Sequence, residues 1–186
     1  TGMDAITHCI EAVLATPANP PAEGIGLDGL WRGWQHIKRA VDNGSDRTAR
    51  WEMMMASTEG ALAFVKGLGA VHSMSHAAGR IKELRLHHGT LNAVILPTIL
   101  RFNEEACLDV YPRLRQAMGL AANADLAKAV EQLNADLGLP RGLSEMGLTE
   151  ELIEDMVPHA INDLATMTNP KKVSAEDFAD LYRQAM

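Results

Sequence analysis

Apolar residues recur at helical spacing along almost the whole chain, and no stretch alternates as a half-buried strand would. In MDAITHCIEAVLA, residues 3–15, Met3, Ile6, Ile10, Val13 and Leu14 fall at this spacing, and the loop TPANPPA, with its prolines, is expected to end the helix. Residues 23–42 carry a stripe of Leu27, Leu30, Trp31, Trp34, Ile37 and Val41, closed by NGSD, where Asn-Gly and N-cap chemistry meet. Residues 46–66 are expected to place Met54, Met55, Ala61, Leu62 and Val65 inside and to stop at Gly67. A short helix from Ala70 to Ile81 follows, then a charged connection, KELRLHH, and an apolar helix from Thr90 to Phe102 that Pro97 should kink.

The second half, CLDVYPRLRQAMGL, ADLAKAVEQLNADLGL, TEELIEDMVPHAINDLA and SAEDFADLYRQAM, reads as amphipathic helices parted by Gly and Pro. Thr149 suits an N-cap, and Ser174 with Asp177 is close to a capping box. The expected fold class is therefore all-α, a helical bundle forming one domain over residues 1–186.

Composition narrows the partners. With 47% hydrophobic and 22% charged residues the 186-residue chain is an ordinary globular one, and its 4% aromatic content favours helices over a sheet sandwich. A net charge of −7 offers no basic face for nucleic acid, so small-molecule or protein partners are expected. No apolar run is long enough to cross a bilayer. Cys9 and Cys107 have neither CxxC spacing nor disulfide-scaffold density, which suggests a reducing compartment and a cytoplasmic protein.

Four of the seven histidines, His72, His76, His87 and His88, fall within VHSMSHAAGRIKELRLHH. His72 and His76 are four apart and share a helix face, and Asp4 and His8 repeat that spacing near the start. Either pair alone is more often an ion pair or a cap. Together with His87-His88 they suggest a metal site, and aspartate with imidazole suits Fe²⁺ or Zn²⁺ rather than Mg²⁺ or Ca²⁺. Glu11, three after His8, is either an orienter of an imidazole N–H or part of a solvated face. Met53, Met54 and Met55 read as packing filler, Trp31 and Trp34 as an anchoring stripe, and Cys9 as a small buried hydrophobe. His36 and His159 have no partner pattern.

TGMDAITHCIEA, AFVKGLGAVHSMSHAAG and HHGTLNAVILPTILRFN, in that order, resemble the iron-containing (group III) alcohol dehydrogenase family, with a weaker echo at TNPKKVSAEDF. The resemblance implies a helical, dehydroquinate synthase-like C-terminal domain that binds one divalent metal, Fe²⁺ first and Zn²⁺ second, through Asp4, His8, His72 and His88. It places His76 beside the reacting carbon as the catalytic candidate, for proton handling or substrate positioning. The family's N-terminal Rossmann-like domain, which binds NAD or NADP, has no counterpart here: the chain has no GxGxxG, and GLG at 67–69 reads as a helix stop that lets two elements approach.

The implied function is metal-dependent, NAD(P)-linked oxidation of an alcohol to an aldehyde or ketone, with this chain inactive alone and self-association expected. Alternatives are a maleylacetate reductase or hydroxyacid dehydrogenase of the same superfamily, in which Lys82, Arg85 and Arg80 would serve a carboxylate, and a non-catalytic dimerisation module. HAAGR stands where many members have HPLGG, and KELRLHHG is longer than the common connection. His87 competes with His88 for the ligand role; His88 is preferred because it directly precedes Gly89.

Overall fold

The computed structural model describes residues 1–186 and contains helices and turns but no strands. Helix α1, Gly2–Leu14, is buried along most of its length and packs on α2, Pro20–Asp42, α3, Arg47–Ala63, and α5, His88–Asn103. The short α4, Ala70–Ala78, joins α5, while α6, Tyr111–Met118, α7, Leu126–Asp136, α8, Ile153–Ile161, and α9, Ala175–Ala185, close the core around α2, α4 and α5. The all-α expectation stands. None of the helices is long and apolar enough to cross a membrane.

Several boundaries differ from expectation for local chemical reasons. Pro20 and Pro21 belong to the first turn of α2, not to a loop: an N–H there has no intrahelical partner to lose, and the Asn19 side chain caps the turn by accepting from Ala22 N. Residues 64–66 tighten into a 3₁₀ turn before Gly67. Helix α5 starts at His88 because the His87 side chain caps it, accepting from Thr90 N at 3.2 Å. Thr149 makes no side-chain cap, and the chain there enters α8 through a 3₁₀ turn. Ser174 and Asp177 form the full reciprocal box.

The larger correction concerns α3. Its buried residues are Ala49, Ala56, Gly60 and Ala63, whereas Met54, Leu62 and Val65 are exposed and Met55 is half-buried. On α2, likewise, Trp31 and Val41 are exposed while Leu30 and Ile37 are buried. The three helices pack through small residues. A Cβ added at Gly29 of α2 would lie 2.8 Å from Cys9 Sγ and 3.0 Å from Glu59 Cβ, so only glycine permits the approach.

Pro97 lies inside α5, which continues past it to Asn103. Lacking an N–H, Pro97 leaves the carbonyl of Ala93 without its helical donor. The buried Asn134 of α7 supplies one, its Nδ2 donating to Ala93 O at 2.6 Å. Asn134→Ala should therefore destabilise the chain by about 1–3 kcal/mol, the cost of a buried unsatisfied carbonyl. In a Pro97→Ala background, where residue 97 regains its N–H, the same change should cost clearly less, as a double-mutant cycle by urea denaturation would read out. Additive effects would sink this account.

Candidate metal centre

Asp4, His8 and Glu11 are spaced to share one face of α1, and that face meets the N-terminus of α4. Gly69, at that N-terminus, has no side chain with which to cap it, so the orphan amides are satisfied from elsewhere. Glu11 Oε1 accepts from Val71 N at 2.8 Å, and Asn169 Oδ1 accepts from Ala70 N at 3.0 Å. A Cβ at Gly69 would fall 2.7 Å from Asn169 Oδ1 and 2.8 Å from Glu11 Oε1, which gives the expected close approach at the GLG stop its reason.

Glu11 Oε2 lies 2.6 Å from His72 Nδ1. An ionised carboxylate only accepts, so His72 carries its proton on Nδ1 and, in its neutral form, presents a bare Nε2 on the opposite side. That Nε2 is 3.7 Å from Asp4 Oδ1. The other donors converge on the same oxygen, His8 Nε2 at 3.9 Å and His88 Nε2 at 3.4 Å. One side-chain N or O atom from each of Asp4, His8 and His72 lies within 4.8 Å of the other two, a group that could hold a metal ion. The His8 ring stacks on His72 with centroids 4.6 Å apart.

Of the two adjacent histidines, His88 turns inward, while His87 is held outside by its cap. His76 stands beside the cluster rather than in it: its ring stacks on His88 at 5.4 Å, and its Nδ1 meets Asp163 Oδ2 at 2.9 Å. His36 bonds the Arg32 carbonyl, and Cys9 is fully buried among apolar neighbours and the Ala56 carbonyl.

The donor set fits a divalent cation. Asn92 Nδ2 reaches Asp4 Oδ1 at 2.6 Å, His88 Nε2 at 3.1 Å and His72 Nε2 at 3.2 Å, so a two-hydrogen amide faces three acceptors. Asn92 Oδ1, meanwhile, is buried without a partner. Once His72 gives up its Nε2 proton, lone pairs outnumber protons at this point, as in a metal site with one carboxylate and three imidazoles. Asn92, Asp163 and Asn169 were missed by the sequence reading. Asn92 does lie four residues after His88, a spacing that signals a shared face.

Charge coupling within the cluster is strong. Burial pushes the Asp4 carboxyl up, but His72, His8, His88 and the Asn92 amide outweigh it and hold the group well below the usual carboxylate range. Burial also opposes charge on His72, yet Asp4 and Glu11 prevail and raise it to about 9. His8 goes the other way, pushed down to about 4 by burial and by neighbouring His72, against the pull of Asp4 and Glu11. His88 is lowered by burial and by the histidines around it, despite Asp4.

The model of the family described as Fe-containing alcohol dehydrogenase family, C-terminal, matches residues 1–186. This chain, a helical unit with a carboxylate–imidazole cluster at one face, belongs to that family. It is 53% identical to a 4-hydroxybutyrate dehydrogenase of Cupriavidus necator and 34% identical to an NAD-dependent methanol dehydrogenase of Bacillus methanolicus. Each match takes in 100% of the chain, and 50% and 51% of those relatives, so the chain spans about half their length. The crystal structure of a 1,3-propanediol oxidoreductase superposes on it with a TM-score of 0.94 at 32% identity, over 100% of this chain and 50% of that one.

Two outcomes are expected. Glu11→Gln should weaken Fe²⁺ or Zn²⁺ binding about 10- to 100-fold, since the residue orienting His72 is altered while the donors remain, and a competitive chelator titration would measure it. Binding should also displace the His72 proton, so the apparent affinity rises about tenfold per pH unit from pH 6 and levels off near 9. In the metal-free chain the sign reverses: with its pKa raised from 6.5, His72 contributes stability that is full below pH 6.5 and lost as pH rises through about 9. A pH-independent affinity would refute the coupling.

Proposed function

We propose that the chain is the helical metal-binding half of an NAD(P)-linked alcohol dehydrogenase, with Asp4, His8, His72 and His88 as ligands of one divalent ion, Fe²⁺ before Zn²⁺. The observation that carries this reading is the convergence of three imidazole nitrogens on Asp4 Oδ1 in a chain matched by the family model along its whole length. Its relatives' remaining half would contribute the nucleotide-binding surface, and the complete enzyme would be cytoplasmic and homo-oligomeric.

In the reaction, an alcohol and NAD(P)⁺ give a carbonyl compound, NAD(P)H and a proton. A divalent ion held by Asp4, His8, His72 and His88 would supply Lewis acidity that lowers the pKa of the alcohol oxygen. The protein residues position that oxygen and move its proton. Because the nicotinamide of the complete enzyme would take up the carbinol hydrogen as hydride, the hydroxyl proton needs a separate acceptor among the protein's groups. His76 is the group we assign to it. Its Nδ1 is fixed by Asp163, which leaves Nε2 as the exchanging atom, and its side chain is 45% exposed, open to solvent for the onward transfer. The substrate we favour is a short hydroxy acid, because the relative at 53% identity is a 4-hydroxybutyrate dehydrogenase.

In the full-length enzyme, His76→Asn should lower kcat about 10²- to 10⁴-fold while leaving one metal per chain, whereas His72→Ala and His88→Ala should lose the metal and the activity together. Metal analysis beside NAD(P)H absorbance assays separates these. Full activity in metal-free protein, or metal retained in both histidine-to-alanine variants, would overturn the proposal.

A further inference from the structure

The connection from α4 to α5, residues 79–87, runs between His76 and His88 and carries three cations, Arg80, Lys82 and Arg85. All three are exposed, and none makes a salt bridge or a side-chain hydrogen bond, with Glu83 of the same connection or with anything else. Of the nine other arginines, six, Arg32, Arg39, Arg101, Arg113, Arg115 and Arg183, each hold a carboxylate, while Arg47, Arg50 and Arg141 make no side-chain ion pair. The connection itself is anchored, because Ile81, Leu84 and Leu86 pack against the core between the cations.

Its backbone carries a further sign. Arg85 adopts φ 48° and ψ 43° and is the only non-glycine residue of the chain with positive φ. Glycine or asparagine would take that conformation with less strain. Non-glycine residues held there cluster at active sites, ligand clamps and switch regions. A long cation in a strained turn, three residues before His88, fits that pattern.

We propose that Arg80, Lys82 and Arg85 form an anion clamp that holds the carboxylate of a short hydroxy acid while its hydroxyl lies at the Asp4, His8, His72 and His88 cluster. The inference rests on the dehydrogenase reading above and adds the residues that select the acid over an uncharged alcohol. A short acid needs its anion partner close to the metal centre, and the connection that carries these cations runs from three residues after His76 to the residue before His88. Guanidinium groups suit the role because they pair with a carboxylate through two parallel hydrogen bonds.

The test uses the full-length enzyme, with 4-hydroxybutyrate and 1-butanol compared as substrates of equal chain length. The wild type should prefer the acid, and that preference should weaken with added salt. The triple variant Arg80→Gln, Lys82→Gln, Arg85→Gln should lower the ratio of kcat/KM for the acid to that for butanol by about tenfold or more, chiefly through KM for the acid, as the loss of charged hydrogen bonds implies. Arg85→Gly separates clamp from scaffold. It relieves the backbone, so the thermal midpoint should hold or rise while the preference for the acid falls.

A preference unchanged in both variants, with metal content intact, would overturn the clamp and leave the dehydrogenase reading standing. A wild type that oxidises butanol but not the acid would overturn it as well. A metal-loaded wild type inactive on both substrates and on other alcohols would overturn the dehydrogenase reading, and the clamp with it.

Discussion

Glu11 is a carboxylate with only 3% of its surface exposed, and both of its oxygens are used. One accepts the amide of Val71 at the start of α4, and the other accepts the His72 Nδ1 proton. A buried charge of this kind is costly unless it is hydrogen-bonded, and here the positive end of a helix and an imidazole N–H offset the cost. The site depends on this one group. It ties α1 to α4 across 61 residues of sequence, holds the His72 proton on Nδ1, and so aims Nε2 at Asp4 as the atom that is bare once the ring is neutral.

Holding α1 in position requires packing on its other sides. The small faces of α2 and α3 let those helices come close, with Cys9 against Gly29 and the His8 Cβ against Gly60. A larger residue at either glycine would displace α1 and, with it, Asp4 and His8. The polar stripe of α1 thus depends on small residues that carry no chemistry themselves. Asn134 plays a comparable part for α5: by serving the carbonyl that Pro97 leaves free, it lets one helix run unbroken from His88 through Asn92 to Asn103.

Periodicity in the sequence was enough to show the helices and the fold class, because 3.6-residue repeats are local. It failed on α3 and the 3₁₀ turn after it, where two apolar stripes compete: one of large residues, Met54 and Leu62 on the helix and Val65 in the turn, and one of small ones, Ala49, Ala56, Gly60 and Ala63. Hydrophobicity favours the first, but close helix contact selects the second, and that choice is made by glycines on a different helix. The site was legible in part. Four-residue spacing paired Asp4 with His8 and His72 with His76, while the convergence of the two helices came only from the family resemblance. Glu11 could not be assigned because its partners lie far along the chain, and Asp163 was invisible for the same reason. His87 and His88 are adjacent, and a cap set by Thr90 decides between them.

Exposure across the site is graded. The His72 side chain is 1% exposed and His8 20%, while His88 and His76 reach 41% and 45%. The inner imidazole is locked by a buried carboxylate, and the outer ones are open to solvent, with exposed Phe64 5.3 Å from the His8 ring. Such a gradient suits a centre that holds an ion firmly from within and meets its substrate from without. Hydride transfer also needs water kept from the reacting atoms. The cations of residues 79–87 stand on the connection that leads from His76 to His88.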